Sequence, residues 1–138
     1  MTIADLGIVR GVTVAETVTV ELAPTYSGCP ATEVIEQSVV DELHKHGVSD
    51  VAIKRVLSPA WTTDWISTEG REKLKAYGIA PPAHGASKRE LLRGDRSIAC
   101  PRCDSVNTQV VSEFGSTACK ASYKCSDCLE PFEYFKCI

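Results

Sequence analysis

Cys100-Pro101-Arg102-Cys103, a β-like span, and then Cys125-Ser126-Asp127-Cys128: this stretch decides how the C-terminal part of the chain folds. The two C-x-x-C pairs stand about twenty residues apart. That spacing suits one tetrahedral ion, because each pair folds into a tight knuckle offering two thiolates. Zn²⁺ held by Cys100, Cys103, Cys125 and Cys128 is the natural occupant, and a thiolate-bound iron or iron–sulfur centre is its competitor. Two disulfides or four free thiols are the plain alternative. A segment of about forty residues has little core of its own, so a bound metal would supply much of its folding energy. Hairpin strands are expected from Val106 to Phe114 and from Lys120 to Lys124, with a third over Phe132 to Phe135. The pattern is specific for metal and says little about function, since structural zinc ribbons are widespread.

The cysteine distribution divides the chain. Six of the seven lie between Cys100 and Cys137, and Cys29 stands alone. Between the two regions, Pro81-Pro82, Gly85-Ala86-Ser87 and Lys88-Arg89 break every apolar period, which reads as a linker. The expected organisation is residues 1–79 as one domain, 80–97 as linker and 98–138 as the ribbon. Charge follows the same division: −4 over residues 1–78, +2 over 79–97 and −1 over 98–138. Four thiolates around Zn²⁺ would add about −2 to the ribbon. An acidic body with an acidic ribbon is a poor electrostatic match for nucleic acid. No run approaches the eighteen or so apolar residues of a membrane span, and no targeting signal is visible. Together with metal-type cysteine spacing, this points to a reducing cytoplasm.

In the first domain, Ile8 to Val14 and Thr17 to Leu22 read as two strands. The second alternates, with Val18, Val20 and Leu22 on one face. Val34, Ile35, Val39, Val40 and Leu43 form an apolar stripe at helical spacing, with Pro30 suited to the first helical position and Gly47 to the stop. Val51 to Leu57 reads as a third strand, and Ser67 or Thr68 caps a short helix ending at Gly78. The fold class is therefore α+β: a small ββαβα domain followed by a β-hairpin zinc ribbon.

Few residues carry chemistry outside the ribbon, and no acid–base pair or triad meets the requirements of an active site. Cys29, beside Pro30 at the expected helix start, would feel unpaired N–H groups that favour thiolate; the bland reading is a small semi-buried cap residue. Cys119 and Cys137 exceed what one tetrahedral site needs. They could be alternate ligands, a redox pair or small buried hydrophobes. Trp61 and Trp65 could form a partner surface or cover an end of the core.

Asp5-Leu6-Gly7-Ile8-Val9, the Ser27-Gly28-Cys29-Pro30 turn and Ser58-Pro59-Ala60-Trp61 resemble the domain shared by cytosolic iron–sulfur assembly factors and SufT-type proteins. More specific is the run Phe114-Gly115-Ser116-Thr117-Ala118-Cys119-Lys120-Ala121, with Glu130-Pro131-Phe132 and Tyr134-Phe135-Lys136-Cys137. Together they resemble the PaaD family, the D component of the bacterial 1,2-phenylacetyl-CoA epoxidase system, also called the J component of phenylacetate-CoA oxygenase. The resemblance implies a cytoplasmic accessory component in aerobic phenylacetate breakdown, partnered with oxygenase and reductase components. It implies maturation of an iron or iron–sulfur centre, with zinc in the ribbon, transient iron as cargo and Cys29 matching the recurrent assembly-domain cysteine. The alternative it leaves open is a non-catalytic adaptor that uses the ribbon and the Trp61/Trp65 surface; homo-oligomerisation is also open. Oxygenase chemistry within this chain is disfavoured, because the paired Glu-x-x-His helices of a di-iron site are missing. One departure is plain: family members carry a helix and an Asp-Pro-Glu-type segment before the Asp-Leu-Gly motif, whereas Met1 here nearly abuts it.

Overall fold

The computed structural model describes residues 1–85 and 97–136. The chain forms two compact units, Thr2–Trp61 and the part from Thr62 onward. In the first, β1 (Val9–Val14) and β2 (Val18–Leu22) pair antiparallel, and β3 (Val51–Arg55) lies parallel to β2. A parallel neighbour requires a crossover, which α1 (Thr32–Lys45) supplies. The alternation in β2 turns Val20 and Leu22 inward beside Ile8, and Ile35, Val39 and Leu43 of α1 pack against these three. Those helix positions are spaced i, i+4, i+8, so they share one face. Val34 is 66% exposed, making the stripe narrower than the sequence suggested.

Two further contacts close this unit. Arg55 at the end of β3 makes a forked pair with Glu36 of α1, its Nη2 donating to Oε2 at 2.8 Å and its Nε to Oε1. Hydrogen bonding from Arg55 holds the Glu36 carboxyl below its ordinary range. Trp61 is 5% exposed, and its Nε1 donates to the Leu6 carbonyl at 2.9 Å.

The second unit begins with a 3-10 turn (Thr63–Trp65) and α2 (Thr68–Ala76), whose Ser67 cap accepts from the Gly70 N–H at 2.9 Å. Four strands follow: β4 (Ile79–Ala80), β5 (Thr108–Ser112), β6 (Lys120–Cys125) and β7 (Pro131–Phe135). Their order across the sheet is β4-β7-β6-β5, with β4 parallel to β7 and the other pairs antiparallel. Ala80, Ile98, Cys100, Cys125, Phe132 and Tyr134 form the core. Tyr123 stacks on Phe132 at 5.7 Å and meets Tyr134 edge-on at 5.8 Å, two geometries aromatic rings favour. The Arg71 guanidinium reaches into this unit, donating to the Thr63 carbonyl at 2.6 Å and to that of Pro82.

Three sequence expectations change here. The helix over 68–76 belongs with the ribbon strands, so the unit Thr2–Trp61 is ββαβ. Ala80 is a strand residue paired with Tyr134, and Pro82 is fully buried, because β7 needs a neighbour on its outer side; linker character does not begin at residue 80. Residues 86–96, the rest of that expected linker, lie outside the described residues. Finally, α1 starts at Thr32 with no side-chain cap, since Tyr26 to Cys29 and Cys29 to Thr32 close two successive turns before it.

Candidate functional site

The two C-x-x-C pairs fold into matching knuckles. The Cys100 N–H donates to the Ser105 carbonyl at 2.9 Å, and the Cys125 N–H to the Glu130 carbonyl at 3.0 Å, five residues on in each case. The residue after the second cysteine is left-handed in both, Asp104 at φ 59° and Leu129 at φ 64°. That turn aims the next backbone N–H at sulfur: Ser105 at Cys103 and Glu130 at Cys128, while Asp127 and Cys128 donate to Cys125. Such donors favour thiolate over thiol.

The four sulfurs converge. Cys100 Sγ lies 3.7 Å from Cys128 Sγ and Cys103 Sγ 3.6 Å from Cys125 Sγ, and all four fall within 4.8 Å of one another. A Zn–S bond of about 2.3 Å implies a tetrahedral S···S edge of about 3.8 Å. The close contacts run between knuckles rather than within them, and the cysteines are free thiols. Cys100 and Cys125 are fully buried, whereas Cys103 is exposed and Cys128 half-buried. Without a cation the set cannot all ionise. The Ser105 N–H pulls Cys103 down, but partial desolvation of its sulfur within the cluster and the three neighbouring thiols push it up to about 12. N–H donation from Cys128 and Asp127 lowers Cys125 to about 7. The donor set, spacing and N–H pattern thus fit a closed four-thiolate zinc site.

A polar brace ties the knuckles together, and sequence reasoning missed it. The Asp127 carboxylate accepts from the Ser105 hydroxyl and from Asn107 Nδ2, the latter at 3.0 Å, and the Ser126 N–H donates to the Asn107 carbonyl at 2.8 Å. Hydrogen bonds from Ser105 and Asn107 lower the Asp127 carboxyl. An Asp inside one knuckle and a Ser just after the other were the available signals. The left-handed Leu129 side chain is 66% exposed and sits where glycine would be unstrained. Leu129→Gly should therefore raise stability by about 1 kcal/mol, read from the thermal midpoint of the zinc-loaded protein.

Cys119 does not join the four; it is half-buried, with Thr117 Oγ1 3.1 Å from its sulfur. Cys137 lies outside the described residues. The loop before Cys119 is tightly held: Glu133 accepts from the Ser116 N–H and from Lys120 Nζ, both at 2.7 Å. A Cβ on Gly115 would stand 2.7 Å from Glu133 Oε1, so any larger residue there would push the carboxylate off these two donors. This is the physical content of the Phe114 to Ala121 motif.

Cys29 occupies a separate setting. It is half-buried, three residues before α1, and lines a cleft of about 520 Å³ with Ser27, Gly28, Arg55 and Leu57. Its carbonyl accepts from the Thr32 N–H at 3.2 Å, so Cys29 precedes the first helical turn instead of starting it. Trp61 is buried, and a hydrogen-bonded core position leaves it no face for a partner; Trp65 is half-buried. Among the described residues no helix is long and apolar enough to cross a membrane.

Residues 84–136 match the family described as the PaaD zinc beta ribbon domain. The whole chain is 49% identical over 139 residues to a protein of Escherichia coli (strain K12), covering 100% of this chain and 82% of that one. The name of that relative is that of the D component of a "Putative 1,2-phenylacetyl-CoA epoxidase". A crystal structure of a domain of unknown function, DUF59, from Bacillus anthracis aligns with a TM-score of 0.48 at 24% identity, over 51% of this chain and 70% of that one.

Proposed function

The chain belongs to the PaaD family, and from that premise we propose that it is a cytoplasmic accessory component of the phenylacetyl-CoA epoxidase system, maturing an iron or iron–sulfur centre on the oxygenase or reductase component. The observation that carries this reading is the separation of two kinds of thiol. The four clustered cysteines complete one tetrahedron, and a closed structural site has no open coordination position for cargo. Cys29, in the other unit, is a free thiol opening onto a cleft. Cys100, Cys103, Cys125 and Cys128 hold zinc, which fixes the ribbon; Cys29 meets the iron to be delivered.

Iodoacetamide labelling under anaerobic conditions tests the thiol directly. Ferrous iron should slow alkylation of Cys29 in the zinc-loaded protein by about tenfold, read by peptide mass, because a metal-bound thiolate is a poor nucleophile. Equal labelling with and without iron would count against Cys29 as the iron-handling group. The adaptor reading loses Trp61 to burial and retains the ribbon and the half-buried Trp65.

A further inference from the structure

Among the described residues the second sheet ends on β5, and this edge is chemically unlike the edges of the first sheet. β3 ends in Lys54 and Arg55, and β1 carries Arg10. Thr108-Gln109-Val110-Val111-Ser112 carries no charge at all. Edge strands that stay solitary are commonly guarded by charged side chains. β5 has no such charge, only an irregularity in its register with β6 between Val110 and Ser112, and Val110 and Val111 there are 62% and 67% exposed. Val106 before the strand and Phe114 after it extend the apolar line, at 61% and 59% exposed.

Of the charged side chains near this line, Lys136 donates to the Glu113 carbonyl and lies 4.3 Å over the Phe114 ring, and Asp127 accepts from Ser105 and Asn107. Two others make no such local contact among the described residues. Glu113 directly follows β5, and Lys124 lies on β6 opposite Gln109, near the other end of the edge. Both are exposed, and among the described residues neither side chain has an ion-pair partner.

We propose that β5 pairs antiparallel with β5 of a second copy of this chain, forming a two-fold dimer. An antiparallel strand pair presents the same patch to itself, which is the requirement of an isologous contact. Uncharged backbone meets uncharged backbone, and valines meet valines. Reversal of direction then carries Glu113 of each copy toward the end of β5 where the other copy holds Lys124. That complementarity selects a second copy over an unrelated strand, for which nothing would place opposite charges at both ends.

Sedimentation of the full zinc-loaded chain over a concentration series tests this. A reversible dimer is expected, with β5 amides slow to exchange in deuterium. Val111→Lys should weaken dimerisation about tenfold or more, and Glu113→Lys or Lys124→Glu alone about tenfold. The double reversal should restore most of the loss, since it re-forms the pair with opposite polarity. Zinc content reports folding throughout. If Val111→Lys loses zinc, the charge reversals at exposed positions decide alone. A chain that stays monomeric overturns the proposal, and slow-exchanging β5 amides in that monomer would mean that another part of the same chain covers the edge. A dimer indifferent to all these changes, or single reversals that the double reversal does not rescue, overturns it equally.

Discussion

Stripping zinc from the purified protein should unfold the ribbon while the unit Thr2–Trp61 keeps its sheet. Two of the six residues at the centre of the ribbon core, Cys100 and Cys125, are also members of the four-thiol set, so the metal and the core occupy the same space. Structural zinc contributes about 10–16 kcal/mol in comparable small modules, against a typical domain stability of about 5–15 kcal/mol. Without the ion, the buried Cys125 sulfur keeps only its N–H donors and the neighbouring thiols. Elemental analysis should find about one zinc per chain. Chelation, or Cys125→Ser, should abolish the near-ultraviolet signal of the Tyr123, Phe132 and Tyr134 cluster. The methyl NMR signals of Val20, Leu22 and Ile35 should persist, because their core involves no cysteine. A metal-free protein retaining the tyrosine signal would refute the structural role, and iron with sulfide in place of zinc would refute its identity.

Cys29→Ala should have the opposite profile. The side chain is half-buried and small and belongs to neither core, so the variant should fold and retain its zinc. Co-expressed oxygenase and reductase components should nevertheless lose most of their iron, measured after separation from this chain. The reasoning is one of access: the clustered sulfurs face inward at Cys100 and Cys125, whereas Cys29 opens onto a cleft. Normal iron loading with Cys29→Ala would move the function to an adaptor role. Trp61 cannot serve as the adaptor control, because truncating so buried an indole costs about 3–5 kcal/mol and would report folding.

The ribbon was legible because its information is local. Cysteine spacing fixes the knuckles, and the alternation of Lys120 to Cys125 fixes which residues face the core. The strand–helix–strand order of the first unit was legible for a similar reason: α1 and β2 carry clean periods. The affiliation of α2 was not. Its cap at Ser67 and stop near Gly78 are written locally, but its neighbours are chosen by Ile79 and Ala80, whose pairing with β7 no local pattern announces. Trp61 stayed open between a partner surface and a core cover, because an indole after a strand looks the same whether it faces solvent or a carbonyl such as Leu6. The Asp127 brace was hidden too, since Ser105 and Asn107 belong to the other knuckle and the residues just after it.

The parallel pairing of Ile79–Ala80 with β7 also bears on synthesis. The two strands are more than fifty residues apart in sequence. On the ribosome, α2 and β4 emerge long before their partner β7. Cys125 and Cys128 emerge just ahead of it, so metal capture can precede closure of the sheet. Closing so wide a loop is entropically costly, and a prior anchor at the knuckles shortens the search. A fragment cut at residue 98 would carry both knuckles yet leave the outer side of β7 open, and such an unpaired edge invites intermolecular pairing during translation.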